Sequence, residues 1–371
     1  MKSDETFFFQ QQQHFLHHDD RQIKPKIGFI YDVPRPLESK DEMIFADDSN
    51  AEWESEATLD ALRNAWGALG YEICELPLDA KFFLKWAENF NSLSLVHSVA
   101  EGYGSLSREG WIASLCELAG VPCIGASPLG HAVSMKKSLT KIVCSSLDIP
   151  TAEFHSVNRI SELNQISDHF LNRPHFIKPD GEGSGMGIDP DYSISDSRLK
   201  TYKTLQFLLP RFPEGILLET YLNGPEYTSA LIGLISDRSQ NKILPIAHIE
   251  VDSGVYGLAE KSKDRREERI TFPTLDAALQ QKIIDATYRL STALEFHDFV
   301  RIDWKTNEIG EVFFLEANTL AGLSPIYSVL PVMAQAAGMS FENLLAYMRD
   351  SALKRAHQGR HLWYGRTRLN K

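Results

Sequence analysis

Little in this sequence favours a membrane, a nucleic acid or an oxidising compartment. Four of its 371 residues are cysteine, Cys74, Cys116, Cys123 and Cys144. None forms a CxxC pair, so neither a disulfide framework nor a zinc site is expected. No apolar run approaches the roughly 18 residues of a membrane span. The opening MKSDETFFFQQQQHFLHHDD lacks the basic n-region and long apolar core of a signal peptide. Positive charge is in the minority, with 38 Lys+Arg against 50 Asp+Glu and a formal net charge of -12. That argues against a phosphate backbone or an anionic membrane as the main partner, while leaving room for a small anion in a local basic pocket. Internal repeats are also missing. The expectation is a soluble, cytoplasmic protein.

What is present is a globular mixture, 43% hydrophobic and 24% charged, long enough for two or three domains. Residues 1–25, with a glutamine tract beside His14, His17 and His18, read as a frayed, disordered N-terminal extension rather than a metal site. Strands are expected at 26–31, 71–76 and 92–97, with helices over 57–69 and 111–118. This alternation implies a parallel sheet in an α/β unit over 26–125. A second unit, 126–221, holds a helix (138–147) and strands near 153–157, up to Lys178 and over 216–220. A third, 222–353, holds strands at 227–234 and 242–250, a long polar segment 251–273, a helix 275–294, the pair 299–304 and 311–316, and a helix 341–351. Residues 354–371 read as a basic, solvated tail.

Three local patterns carry chemistry. In Arg301-Ile-Asp303-Trp304 and Phe313-Phe-Leu-Glu316-Ala-Asn318, alternation puts Arg301 with Asp303 on one face and Glu316 with Asn318 on another. Antiparallel pairing across the Asn307–Gly310 turn would bring two carboxylates and an amide together as hard oxygen ligands suited to magnesium. Arg301 beside them could hold a phosphate or a developing oxyanion. A polar surface hairpin is the equally weighted alternative. In Phe176-Ile-Lys178-Pro-Asp-Gly181-Glu182-Gly183-Ser184-Gly185-Met-Gly187 a strand delivers a lysine into a glycine-rich loop, which lets backbone N–H groups approach an anion. The pattern is not a P-loop, and a flexible surface loop is its alternative. In Glu219-Thr-Tyr-Leu-Asn-Gly224-Pro225-Glu226 two acids flank a turn; one could take an adenine amino group and the other a ribose hydroxyl, although such turns are commonplace.

In this order, the segments resemble the ATP-grasp superfamily, specifically a divergent side-branch of the D-alanine–D-alanine ligase family. The likeness is closest over Val300–Met348, with RIDW…FFLEANTLAG…LPVMAQAAGMSFENLL, and good over Val96–Lys141 and Phe176–Ile188. The resemblance implies an α/β fold in which an N-terminal parallel-sheet domain precedes two α+β domains sandwiching ATP. It implies that Lys137, Lys178, Glu182, Gly183 and Ser184 surround the phosphates. Glu219 would lie near adenine and Glu226 at the ribose, with Lys261 on a mobile lid over the γ-phosphate. Asp303, Glu316 and Asn318 would hold magnesium, with manganese as the alternative ion, and Arg301 with the Gly322 N–H would form the oxyanion site. Amino acids would be the substrates, and a homodimer is common in the family.

Departures from the family pattern cluster where substrate would sit. Lys136 replaces the aspartate expected before Lys137, and Ser262 the tyrosine after the lid lysine. The family's Gly-Gly-x-Ser-x-Glu segment is missing; Glu52, Glu54 or Glu56 could supply its glutamate. His97-Ser-Val-Ala-Glu101…Arg108-Glu109-Gly replaces a different loop, making His97, Glu101 and Arg108 candidate substrate contacts. One extra residue before Pro331 leaves Tyr327 and Ser328 competing to grip a substrate carboxylate. The leading reading is an ATP-dependent ligase joining amino acids through an acyl phosphate. The alternatives are a genuine D-alanine–D-alanine ligase of peptidoglycan precursor synthesis and a catalytically inactive ATP-binding protein.

Overall fold

The computed structural model describes residues 24–33, 53–250 and 269–358. The first of three sheets is parallel: β1 (Lys26–Tyr31), β2 (Glu72–Pro77), β3 (Leu93–Ser98) and β4 (Cys123–Ile124), in the order β2-β1-β3-β4. The run KIGFIY at β1 is apolar throughout because both faces of the sheet are covered. Helix α1 (Glu56–Ala68), capped by the Ser55 hydroxyl on the Thr58 N–H, lays Leu59, Leu62 and Trp66 beside Ile27 and Phe29. Helices α2 (Phe82–Asn89) and α3 (Gly110–Ala119) cover Ile30 and Val96 on the other face. Gly120 ends α3 at φ 67°, a left-handed conformation that glycine adopts without a Cβ penalty.

The second sheet, β5 (Phe154–Val157), β6 (His175–Pro179), β7 (Ile194–Ser195) and β8 (Ile216–Thr220), is antiparallel in the order β5-β8-β6-β7. The third is antiparallel and six-stranded: β9 (Glu226–Gly233), β10 (Asn241–Ile243), β11 (Ala247–Glu250), β12 (Arg269–Thr271), β13 (Asp298–Thr306) and β14 (Val312–Asn318). Its order is β12-β11-β9-β13-β14, with β10 also on β9. Helices α4 (Pro128–Met135) and α5 (Lys137–Ser146) pack Val133 and Cys144 into the core of this third sheet, with Ile302, Trp304 and Phe314.

Most elements lie within two residues of their expected bounds. The strand expected over 242–250 is broken at Leu244–Ile246, because Pro245 has no N–H to donate. Helix α2, α4 and a helix at Val329–Ala336 escape the periodicity reading because each is only eight residues long. The last helix also runs past its expected end at 351, into the stretch read as a basic tail, whose residues 359–371 lie outside the described residues. It spans Phe341–His357, and Arg355 within it is largely covered, its guanidinium bonded to the buried Asp298 Oδ2 at 2.5 Å. Among the described residues no helix is long and apolar enough to cross a membrane.

Candidate active site

A cleft of about 800 Å³ opens between the second and third sheets. Its lining includes apolar Phe176, Met186, Ile188, Leu222 and Leu315, then Lys137 and Lys178, and then Glu182, Glu219, Glu226 and Glu316. An apolar slot with a few convergent charges is what a nucleotide requires.

The third sheet builds the acidic end. Strands β13 and β14 pair antiparallel, with Asp303 opposite Glu316 and Arg301 opposite Asn318, so the four side chains share one face. Beyond that pair the register slips, and Trp304 faces Phe314. The extra residue is a β-bulge. Leu315 and Glu316, neighbours that strict alternation would send to opposite faces, both line the cleft. Asp303 accepts from Thr228 Oγ1 at 2.7 Å, Arg301 Nη2 at 2.9 Å and Asn318 Nδ2 at 3.1 Å. Two carboxylates and an amide fit a hard divalent cation that fills its remaining positions with water and phosphate oxygens. Turning the Asn318 amide over would present its oxygen.

The basic end comes from the second sheet and α5. Lys178, on β6, pairs with Glu219 Oε1 at 2.7 Å, and Lys141, on α5, with Glu219 Oε2 at 2.7 Å. Burial works against the Glu219 charge, yet the two lysines hold its pKa down to about 2. Burial likewise opposes the Lys178 charge, but Glu219, Glu316 and Glu226 together raise its pKa. Lys137, one turn before Lys141, donates to the Glu182 carbonyl and stands 3.7 Å from Glu316 Oε2. The N-terminus of α5 is capped by Asp180, which accepts from the Ser138 N–H at 2.7 Å and the Ser138 hydroxyl at 2.6 Å. The loop after β6 thus sets a carboxylate at this helix end beside Lys136, whose Nζ lies 3.9 Å from Asp180 Oδ2. Glu226 pairs with Lys305 at 3.2 Å; burial raises its pKa, Lys305 opposes, and Asp303 and Glu316 add to the rise.

Among the expected residues, Lys137, Lys178, Glu182, Gly183, Glu219, Glu226 and Glu316 share this cleft. Ser184 follows Gly183 in the loop with φ 52°. Glu219 stands differently from the expectation of an adenine ligand, because both of its oxygens face lysines. Arg108 is buried and bonds Glu182 Oε2 at 3.0 Å, so it reaches the glycine-rich loop. Glu101 donates its backbone N–H to Asp32 at 2.7 Å. His97 is fully buried, with Nδ1 accepting from Trp66 Nε1 at 3.0 Å; burial pulls its pKa down to about 4, so it braces the strand end as a neutral ring. Lys261 lies outside the described residues.

Of the three acids that the sequence leaves open, Glu54 is the one that reaches the Gly322–Leu323 backbone. Its Oε1 accepts from the Leu323 N–H at 2.9 Å and lies 3.6 Å from where a Cβ on Gly322 would stand. Glu56 is taken by Arg63 at 2.7 Å, and Glu52 lies outside the described residues. Ser328 also reaches this point: its Oγ accepts from the Ser324 N–H at 3.0 Å and would lie 2.8 Å from a Cβ on Gly322. Tyr327 is half-buried beside it. No periodicity links residue 54 to residue 322, so only the fold reveals the meeting.

The family profile described as D-ala D-ala ligase C-terminus matches residues 143–349. The D-alanine–D-alanine ligase of Aquifex aeolicus is 30% identical over 287 residues, covering 77% of this chain and 91% of that protein. That of Geobacter sulfurreducens is 28% identical over 253 residues, 67% of this chain and 75% of that protein. Among solved structures, D-alanine–D-alanine ligase from Bacillus anthracis complexed with ATP has a TM-score of 0.68 at 20% identity, covering 90% of this chain and 99% of that one. A D-Ala:D-Ser ligase from Enterococcus faecalis has a TM-score of 0.66 at 21% identity, covering 89% and 99%. With its parallel N-terminal sheet and two antiparallel sheets around an acidic and lysine-lined cleft, this chain belongs to the D-alanine–D-alanine ligase family and is an ATP-grasp ligase that forms C–N bonds.

Proposed function

We propose that the protein condenses two molecules of D-alanine, using ATP to activate the first carboxylate as an acyl phosphate. The observation that carries the choice of substrate is the likeness to D-alanine–D-alanine ligases along most of the chain, 77% of it for the Aquifex aeolicus protein. The broader expectation of some other amino-acid pair gives way to it. We divide the chain into the working units 26–125, 126–221 and 222–353, with ATP between the second and third.

The chemistry follows from the groups on the cleft wall. A carboxylate is a poor electrophile, and bringing it to a triphosphate joins two anions. Lys137 and Lys178 offset that repulsion, and Lys261, outside the described residues, would add a third cation. Asp303, Glu316 and Asn318 would hold magnesium, which screens the phosphate charge when bound. Glu226 takes the ribose hydroxyls. Glu54 receives the first substrate's ammonium, because it is an acid at the Gly322–Leu323 backbone where the activated carbonyl must lie. The amine of the second D-alanine, its carboxylate oriented by Ser328, attacks the acyl phosphate. Arg301 and the Gly322 N–H stabilise the tetrahedral oxyanion, a kind of contact whose loss raises a barrier by about 2.7–4 kcal/mol. Phosphate leaves and the amide remains.

The test is phosphate release from Mg-ATP against single and paired D- and L-amino acids, with the product weighed by mass spectrometry. D-alanine alone should suffice and yield its dipeptide. Turnover that requires a different partner, for example D-serine, would overturn the substrate assignment. Turnover with no amino acid at all would overturn the ligase chemistry.

A further inference from the structure

Lys141 belongs to no pattern read from the sequence and does not line the cleft, yet it is fully buried directly behind it. Its Nζ pairs with Glu219 Oε2 at 2.7 Å, donates to Thr151 Oγ1 at 2.9 Å and to the Phe314 carbonyl at 3.3 Å, and lies 5.9 and 5.8 Å from the ring centroids of Phe154 and Phe314. Burying an ammonium is expensive unless it is paired, and even a paired one seldom adds stability over an apolar side chain, so its charge calls for another reason.

The charge count around Glu219 indicates what requires it. Lys178 alone against Glu219, 2.7 Å apart, would form a neutral pair with little field left for an anion in the cleft. With Lys141 on the other carboxylate oxygen the group holds two cations and one anion. The surplus positive charge then sits at the only one of the two lysines that lines the cleft. Neither lysine can move away from Glu219 without leaving a buried carboxylate underpartnered. We infer that Lys141 is a positioning residue for nucleotide phosphates: by occupying half of Glu219 it leaves Lys178 a net cation toward the cleft. This rests on the reading of Lys178 as a phosphate lysine. It also reassigns Glu219 from adenine ligand to the strut between the two lysines.

The experiment compares MgATP and adenosine by calorimetry, because adenosine has the base and ribose but no phosphate. Lys141→Met should weaken MgATP binding about ten-fold or more and leave adenosine binding unchanged. The double variant Lys141→Met/Glu219→Gln restores the net charge and should recover most of the lost MgATP affinity. A merely structural lysine would weaken both ligands together, and that result overturns the inference. So does unchanged MgATP binding in Lys141→Met, or a folded double variant that recovers nothing. If Lys141→Met does not fold, Glu219→Gln alone decides: MgATP should bind at least as tightly as to wild type, and weaker MgATP binding with unaltered adenosine overturns the inference. Wild-type protein that fails to bind MgATP removes the ATP reading itself, an outcome distinct from wild-type binding that Lys141→Met leaves untouched.

Discussion

Glu54 shows how one side chain acquires meaning from a neighbour 269 positions away, the Leu323 N–H that it accepts. Replacing it by Gln keeps the shape and the hydrogen bond but removes the charge that an ammonium requires. Charge-assisted bonds contribute about 1.5–3 kcal/mol, so Glu54→Gln should lower kcat/KM for the first amino acid roughly 10- to 100-fold. MgATP affinity, measured by calorimetry, should stay at the wild-type value. Glu316→Ala should abolish metal-dependent turnover, read as phosphate release against magnesium concentration. His97 makes a prediction about pH. Its folded-state pKa of about 4 lies below the ordinary value of about 6.5, so the unfolded chain takes the proton first. Its contribution to stability is present above pH 6.5 and is lost as pH falls toward 4, reaching about 3 kcal/mol. Denaturation midpoints measured from pH 7.5 to 4 should fall more steeply for wild type than for His97→Gln.

At the level of elements, Asp180 joins a loop to a helix. It stands beyond the end of β6, yet its carboxylate caps the N-terminus of α5 and accepts from Ser156 Oγ at 2.8 Å. Caps of this kind contribute about 0.5–2 kcal/mol. Asp180→Ala should cost that much in urea denaturation and should also weaken MgATP, because Lys137 is the first residue of the helix it caps. How much of this was legible in the sequence differs by feature. The facing of Arg301, Asp303, Glu316 and Asn318 follows from period-two alternation and one turn, and the structure has it so. The bulge that brings Leu315 to the same wall does not, since a one-residue slip leaves no mark in a hydrophobic pattern. Lys136 reads as a loss of the acid before Lys137, and nothing in the sequence shows that a carboxylate reaches the same helix end from Asp180, 44 residues on and near only in space. Lys141 was invisible because a lysine four residues after another on a helix ordinarily faces water.

Across the whole molecule, one contact ties distant segments together. Asp298 at the start of β13, held at φ 65°, takes the Gly125 N–H at 3.0 Å, the Ser351 hydroxyl at 2.6 Å and Arg355 Nη2 at 2.5 Å. Burial works against the Arg355 charge, but Asp298 raises its pKa. Removing one member of a buried charged pair costs about 3–5 kcal/mol, so Arg355→Leu should lower the free energy of unfolding by that order, measured by urea denaturation. Without substrate contacts of its own, it should leave KM for ATP unchanged in the folded fraction.

The last helix has a consequence for the birth of the protein. Leu344, Leu345, Met348 and Ala352 complete the same core as Ile27, Phe29, Leu62 and Trp66. The first sheet closes at Ile124, and the helix that finishes covering it begins at Phe341. At roughly 5–20 residues per second of synthesis, more than ten seconds separate the two on the ribosome. During that interval the apolar surface that α1 leaves open beside Ile27, Phe29, Leu62 and Trp66 lacks its full cover. Correct assembly therefore waits until the helix Phe341–His357 has emerged, and a message truncated before codon 341 should yield a product that chaperones hold and proteases remove.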